Sequence, residues 1–178
     1  MDRMLQFLAL SATLMLSSCA TTMVLPHGIE MKTTVNHPIL GKLTLEPGEW
    51  HWSGIFRYGD REAELSLETF RHDQIPGLHI TNIVDEYVQG LRVAERQSDA
   101  CLQRAAEWIC SDFPQWFEDE PRLKVDEVRA RLTISCVVVY ADGTICFWIR
   151  EPHLYDTGHE IGITLSQQGD ITYIELGG

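Results

Sequence analysis

The sequence is short of positive charge. Only 14 Lys and Arg stand against 26 Asp and Glu in 178 residues, a net charge of -12. Setting aside residues 1–30, which carry Asp2, Arg3 and Glu30, leaves 24 acidic against 13 basic residues, so the acidity belongs to the body of the chain. Such a surface repels phosphate backbones and speaks against a nucleic-acid binder. It suits a basic protein partner, and it also keeps a protein soluble. Long apolar runs are missing too: beyond the N-terminus nothing approaches the ~20 residues of a membrane span. There is no Gly-rich phosphate loop ahead of a helix, no paired-His zinc helix, no Cys-x-x-Cys and no nucleophile elbow. No motif calls for a cofactor or identifies a small-molecule substrate.

What is present fits one globular domain. The length allows a real core, and 44% hydrophobic with 22% charged residues is an ordinary soluble composition. The N-terminal run "MLQFLALSATLML" has the length of a signal-peptide apolar region. Leu16-Ser17-Ser18-Cys19 follows it and looks like a bacterial lipobox, in which cleavage precedes a cysteine that is then acylated. This reading makes residues 1–18 a signal peptide, 19–36 a tether and 37–178 a single domain. It places the protein in the cell envelope, lipid-anchored through Cys19 on the periplasmic side. A translation start at Met31, in Met31-Lys32-Thr33-Thr34, is the alternative and implies a cytoplasmic protein.

Four further cysteines remain: Cys101, Cys110, Cys136 and Cys146. The first two fall nine positions apart on a helical pattern, about 13 Å of rise and beyond disulfide reach. The last two flank a hairpin whose two-residue turn puts them on opposite faces. The four read as small buried hydrophobes, and their spacing is not that of a zinc site.

Alternation predicts strands in "ILGKLTL", "WHWSGIFRY" and "REAELSLE". In the second, Trp50, Trp52 and Phe56 share one face, with His51, Ser53 and Arg57 on the other. In the third, Ala63, Leu65 and Leu67 alternate with Glu62, Glu64, Ser66 and Glu68, a half-buried antiparallel pattern. The period then changes. Ile80, Ile83, Val84, Tyr87 and Leu91 mark one helix, with Gly90 weakening its last turn. Ser98 reads as the N-cap of a second helix that carries Cys101, Ala105, Trp108 and Ile109 inward and stops at Pro114. "KVDEVRARL" predicts one short helix more. "LTISCVVVYADGTICFWIR" predicts a hairpin turning at Asp142-Gly143. A two-residue turn there groups Leu132, Ile134, Cys136, Val138 and Tyr140 with Ile145, Phe147 and Ile149. Val137, Val139, Cys146 and Trp148 then share the opposite face, which is either covered by a second layer or offered to a partner. "HEIGITL" and "ITYIEL" complete the set. The order gives an α+β fold: an antiparallel sheet of about seven strands, with two main helices and one short helix packed on one face.

Three places could carry chemistry. "EPHLYDTGHE" gathers Glu151, His153, Asp156, His159 and Glu160, of which His153, Asp156 and His159 are the candidates for a metal site or an enzyme centre; loop polarity explains them better. Glu118, Asp119 and Glu120 lack the spacing of a calcium loop. His51 faces away from its tryptophan neighbours. No residue here is assigned a catalytic or metal-binding role. As a binding surface the candidates are Val137, Val139, Trp148 and Trp116.

The wording of the strands resembles a bacterial family known as domain of unknown function 2262, over about residues 37–178. The resemblance rests on "HPILGKLTLEPGEWHWSGIFRYGDREAELSLE" at the start and on "LKVDEVRARLTISCVVVYADGTICFWIREPHLYDTGHEIGITL" at the end. Asp142-Gly143 and Gly158-His159 are the closest positions, and Trp116 in "FPQWFEDE" stands where the family has a Trp-rich stretch. The resemblance brings no activity and no catalytic residue. Small acidic α+β proteins of this kind often accompany bacterial toxins as immunity or accessory proteins. The expectation is therefore a non-enzymatic binding protein whose partner is a protein, such as a toxin. The alternatives are a general envelope lipoprotein with a scaffold role, and the metal-binding protein or enzyme named above.

Overall fold

The computed structural model of the chain describes residues 33–46, 51–68, 85–112, 124–152 and 158–177. Among these residues eight strands form one sheet in sequential order. They are β1 (Thr33–His37), β2 (Gly41–Leu45), β3 (His51–Tyr58), β4 (Arg61–Glu68), β5 (Thr133–Tyr140), β6 (Ile145–Arg150), β7 (Glu160–Leu165) and β8 (Ile171–Gly177). Every neighbouring pair is antiparallel except β4 and β5, which run parallel from Glu64 beside Cys136 to Glu68 beside Tyr140. A parallel pair needs a long crossover. Here the crossover contains α1 (Asp85–Asp112) and α2 (Val125–Arg131).

The expected antiparallel sheet of about seven strands, with two main helices and a short one on one face, is thus corrected. The eighth strand is β1, whose sequence TTVNH has a single apolar residue, Val35, and so lacks visible alternation. It begins within the stretch read as a tether. The two main helices are one helix of 28 residues. Gly90 is not near its end but in its body, where its backbone meets the Val139 and Ile145 side chains. Ser98 is no N-cap: it is buried, and its hydroxyl donates back to the Ala94 carbonyl at 2.9 Å and the Glu95 carbonyl at 3.1 Å. This local bond to the preceding turn lets serine sit inside a helix. The short helix α2 packs chiefly on α1 rather than lying beside it on the sheet.

The α1-facing side of the sheet is the core. Trp52, Phe56, Leu65, Leu67, Val137, Val139, Ile145, Phe147, Ile149, Ile161 and Ile163 are all buried there. Each such side chain contributes roughly 1.5–3 kcal/mol by leaving water. Tyr87, Val93, Ala94, Cys101, Ala105 and Ile109 bring the helix to them. Where the expected alternation falls on described residues of β3 and β4, Trp52, Phe56, Leu65 and Leu67 face inward as predicted.

The β5–β6 hairpin departs from its expected register. Its loop has three residues, Ala141-Asp142-Gly143, closed by the Tyr140 N–H donating to the Thr144 carbonyl at 3.0 Å. Gly143 supplies the positive φ of 79° that ends such a loop. One extra loop residue changes the phase of the pairing, and a one-residue change sends every side chain to the other face. Val137 therefore opposes Phe147 and Val139 opposes Ile145, while Cys136 opposes Trp148 and Val138 opposes Cys146. A bulge between Ile134 and Cys136 then returns Ile134 to the core, opposite Ile149.

Candidate functional site

That register decides the fate of the expected binding residues. Val137 and Val139 are fully buried on the α1 side and offer no contact surface. Trp148 lies on the opposite face, half-buried, with its ring over the backbone of β7 and β8. A β-carbon at Gly162 would stand 3.1 Å from its Cζ3, and one at Gly177 only 2.5 Å. The indole thus fills the space above two glycines and shields the strands beneath. Trp116, Cys19, His153, Asp156 and the Glu118–Glu120 run lie outside the described residues. His159 is half-buried next to Glu160, which is bound to Arg150 at 2.9 Å. Glu151 is fully buried at the end of β6, with Arg131 at 4.0 Å. His51 is on the face away from Trp52, as expected. Among the described residues no three His, Cys, Asp or Glu side chains converge on a common metal position.

The face away from α1 carries a row of carboxylates. Along β4 it presents Glu62, Glu64, Ser66 and Glu68, and across β7 and β8 it presents Glu160, Tyr173 and Glu175. Its centre is covered: Ser66, Val138, Cys146 and Thr164 are buried. Its β3–β4 end is open, with Ile55 at 55% exposure. Here lies a groove of about 710 Å³, between Gly54, Ile55 and Tyr58 of β3, Arg61 to Glu64 of β4, Thr133 to Ser135 of β5, and Arg150.

The groove exists because β4 and β5 separate. Their ladder begins only at Glu64 and Cys136, just past the bulge. The backbone of β5 before that point needs other partners. Tyr58 provides them: its hydroxyl accepts from the Ile134 N–H at 3.0 Å and donates to the Ile134 carbonyl at 3.4 Å. The Arg61 guanidinium donates to the Leu132 carbonyl at 3.2 Å, and Ser135 donates to the Trp148 carbonyl at 3.0 Å. Tyr58 is itself stacked on Phe56, at 5.9 Å between ring centroids.

Charge in and around this groove is distributed unevenly. Arg57 is paired with Glu62 at 2.9 Å, Arg150 with Glu160 at 2.9 Å, and Arg61 is turned to the Leu132 carbonyl. Among the described residues Glu64 forms no ion pair, and the Glu68 carboxylate accepts from the Ser66 hydroxyl at 3.1 Å. The result is an acidic strip next to an exposed aliphatic side chain. The sequence shows the alternating glutamates of β4. It does not show that the nearby arginines are engaged elsewhere.

Cys101 and Cys136 add no reactive group. All four in the described residues are free thiols. Burial, then Glu64, Glu68, Cys146 and Glu160, push the Cys136 thiol up to about 12. Burial and then Cys146 do the same to Cys101, also to about 12. Thiols held so high stay protonated at neutral pH and are poor nucleophiles and metal ligands. The register places Cys136 and Cys146 diagonally on one face, a correction of the opposite faces expected from a two-residue turn.

Comparison of the chain with protein-family models, with curated proteins and with solved structures gives no match. The resemblance to domain of unknown function 2262 accordingly rests on the residues quoted for it.

Proposed function

We propose that this chain is a non-enzymatic binding protein, of immunity or accessory type, that takes a basic protein partner on the sheet face away from α1. One observation carries the reading: the arginines of the β3–β5 groove are engaged by Glu62, Glu160 and the Leu132 carbonyl, while Glu64, opposite exposed Ile55, forms no ion pair among the described residues. An acidic strip next to apolar surface steers a cationic partner and then gives it area to bury. The net charge of -12 and the high-held thiols support the same reading. The test is capture of the native complex from the producing host with tagged full-length protein. The partner recovered should be basic, and the E64K variant should fail to retain it. Recovery of an acidic partner, or of the same partner undiminished by E64K, would contradict the proposal.

We further infer an envelope location, from the apolar run and Leu16-Ser17-Ser18-Cys19. A lipid on Cys19 would hold the binding face at the periplasmic side of a membrane, where an incoming toxin could be met. The intact mass of protein from its own host tests this. A mass starting at an acylated Cys19 supports it, and an unmodified start at Met31 overturns it.

A further inference from the structure

Resting on the reading of a basic partner, we propose that the outer edge of β8 receives an extended basic segment of that partner as an added strand. In the sheet order β8 is the last strand, so its outer row of backbone groups has no neighbour among the described strands. Such a row is a template for another chain unless the edge is blunted by Lys, Pro or shortness. β8 uses none of these, and its register shift against β7, between the Thr164–Tyr173 and Leu165–Ile171 pairs, lies at its start and leaves Tyr173 to Gly177 in regular pairing. Its sequence ITYIELG spans seven residues without Lys, Arg or Pro. Ile171 and Tyr173 are exposed, at 40% and 58%. The opposite edge differs: β1 has five residues, and Asn36 pairs with Lys42 of β2 there.

Charge selects the occupant. From Gly158 to Gly177 the chain carries Glu160, Asp170 and Glu175 and neither Lys nor Arg; Glu160 is paired with Arg150 of β6, which leaves Asp170 and Glu175 to act on an arriving strand. Glu175 and Tyr173 share the face away from α1, two positions apart on the strand. An arriving strand with a cation at alternate positions sets that cation against Glu175 and its aliphatic stem on Tyr173. A second copy of this chain would bring another acidic strand and a net charge of -12 with it, and repulsion between the copies opposes such pairing. The edge supplies backbone hydrogen bonds, and the carboxylates supply the preference for a basic sequence.

The test uses the full chain and three synthetic probes. These are a peptide of alternating Lys and Val, the same length in Glu and Val, and the Lys-Val peptide N-methylated at alternate amides. Backbone amide shifts and hydrogen exchange are followed by NMR. The expected result is shifts and added protection at Ile171 to Gly177 with the Lys-Val peptide only, and none with the N-methylated form. Glu175→Gln should weaken that binding about two- to fivefold, the size of one cross-strand charge pair. Shifts confined to Ile55 and Glu64 would overturn the edge assignment while leaving the basic-partner reading standing. Equal binding of the Glu-Val peptide, or no binding of any probe, would also overturn it. Protection of β8 that grows with protein concentration alone would overturn it in favour of a second copy.

Discussion

The backbone of Gly90 in α1 rests on the side chain of Val139 in β5, so closely that a β-carbon at position 90 would overlap the valine Cγ1. Glycine in a helix interior costs about 1 kcal/mol relative to alanine. Gly90→Ala recovers that amount but forces apart the helix and the central strand, and overpacking of this kind costs about 1–3 kcal/mol or more. The expected outcome in urea unfolding is a net loss of stability. A gain of about 1 kcal/mol would show that helix and sheet are not in contact there.

Ser98 gives the opposite expectation. As an N-cap its replacement by alanine would cost about 1 kcal/mol. As a helix-interior residue bonded back to Ala94 and Glu95, it can be replaced at little cost. Ser98→Ala should leave stability within about 0.5 kcal/mol of the parent or raise it slightly. A loss near 1 kcal/mol would restore the two-helix reading.

Tyr58 holds the mouth of the groove through the Ile134 backbone. Tyr58→Phe keeps the stack on Phe56 and removes only the hydroxyl. The Ile134 N–H then loses its acceptor, which costs about 1–2 kcal/mol, and its amide exchange should accelerate ahead of the rest of β5. Unchanged exchange at Ile134 would contradict the bridging role.

The thiols set an alkaline limit. Cys101 and Cys136 titrate near 12 in the folded protein against an ordinary 9.0. Both pKa values are raised, so the folded state holds these protons more tightly than the unfolded chain. Their stabilising contribution is complete below pH 9 and is lost as pH climbs from 9.0 toward 12. Tyr87, raised by burial and then by Glu68 and Glu86, acts in the same direction. Unfolding midpoints should fall over that window, and the C101A/C136A variant should fall less. Rapid alkylation of Cys101 or Cys136 in the folded protein by iodoacetamide at pH 7, located by peptide mapping, would contradict the assignment.

Much of the sheet was legible because β3, β4 and β7 alternate in sequence, and Trp52, Phe56, Leu65 and Leu67 lie where alternation puts them. β1 was not, because Thr, Asn and His on a sheet edge carry no apolar rhythm. The parallel contact of β4 with β5 is set by a crossover through two helices, and no local pattern announces it. The misplaced faces of the hairpin trace to one residue: Ala141 joins the loop instead of ending the strand. Since Val137, Val139 and Trp148 were chosen from those faces, the two valines fell in the core and Trp148 stayed on the outer side. The β3–β5 groove was out of reach for a related reason, since it depends on a bulge and on where three arginines turn.

The central claim is that a basic partner meets the face away from α1. Photo-crosslinking in the producing host tests it most directly, with a photoreactive residue placed in the full chain either at exposed Ile55 in the groove or at exposed Glu95 on α1. The account predicts one discrete adduct, to a basic protein, from position 55 and none from position 95. An adduct from position 95 alone, or equal adducts from both, would contradict it.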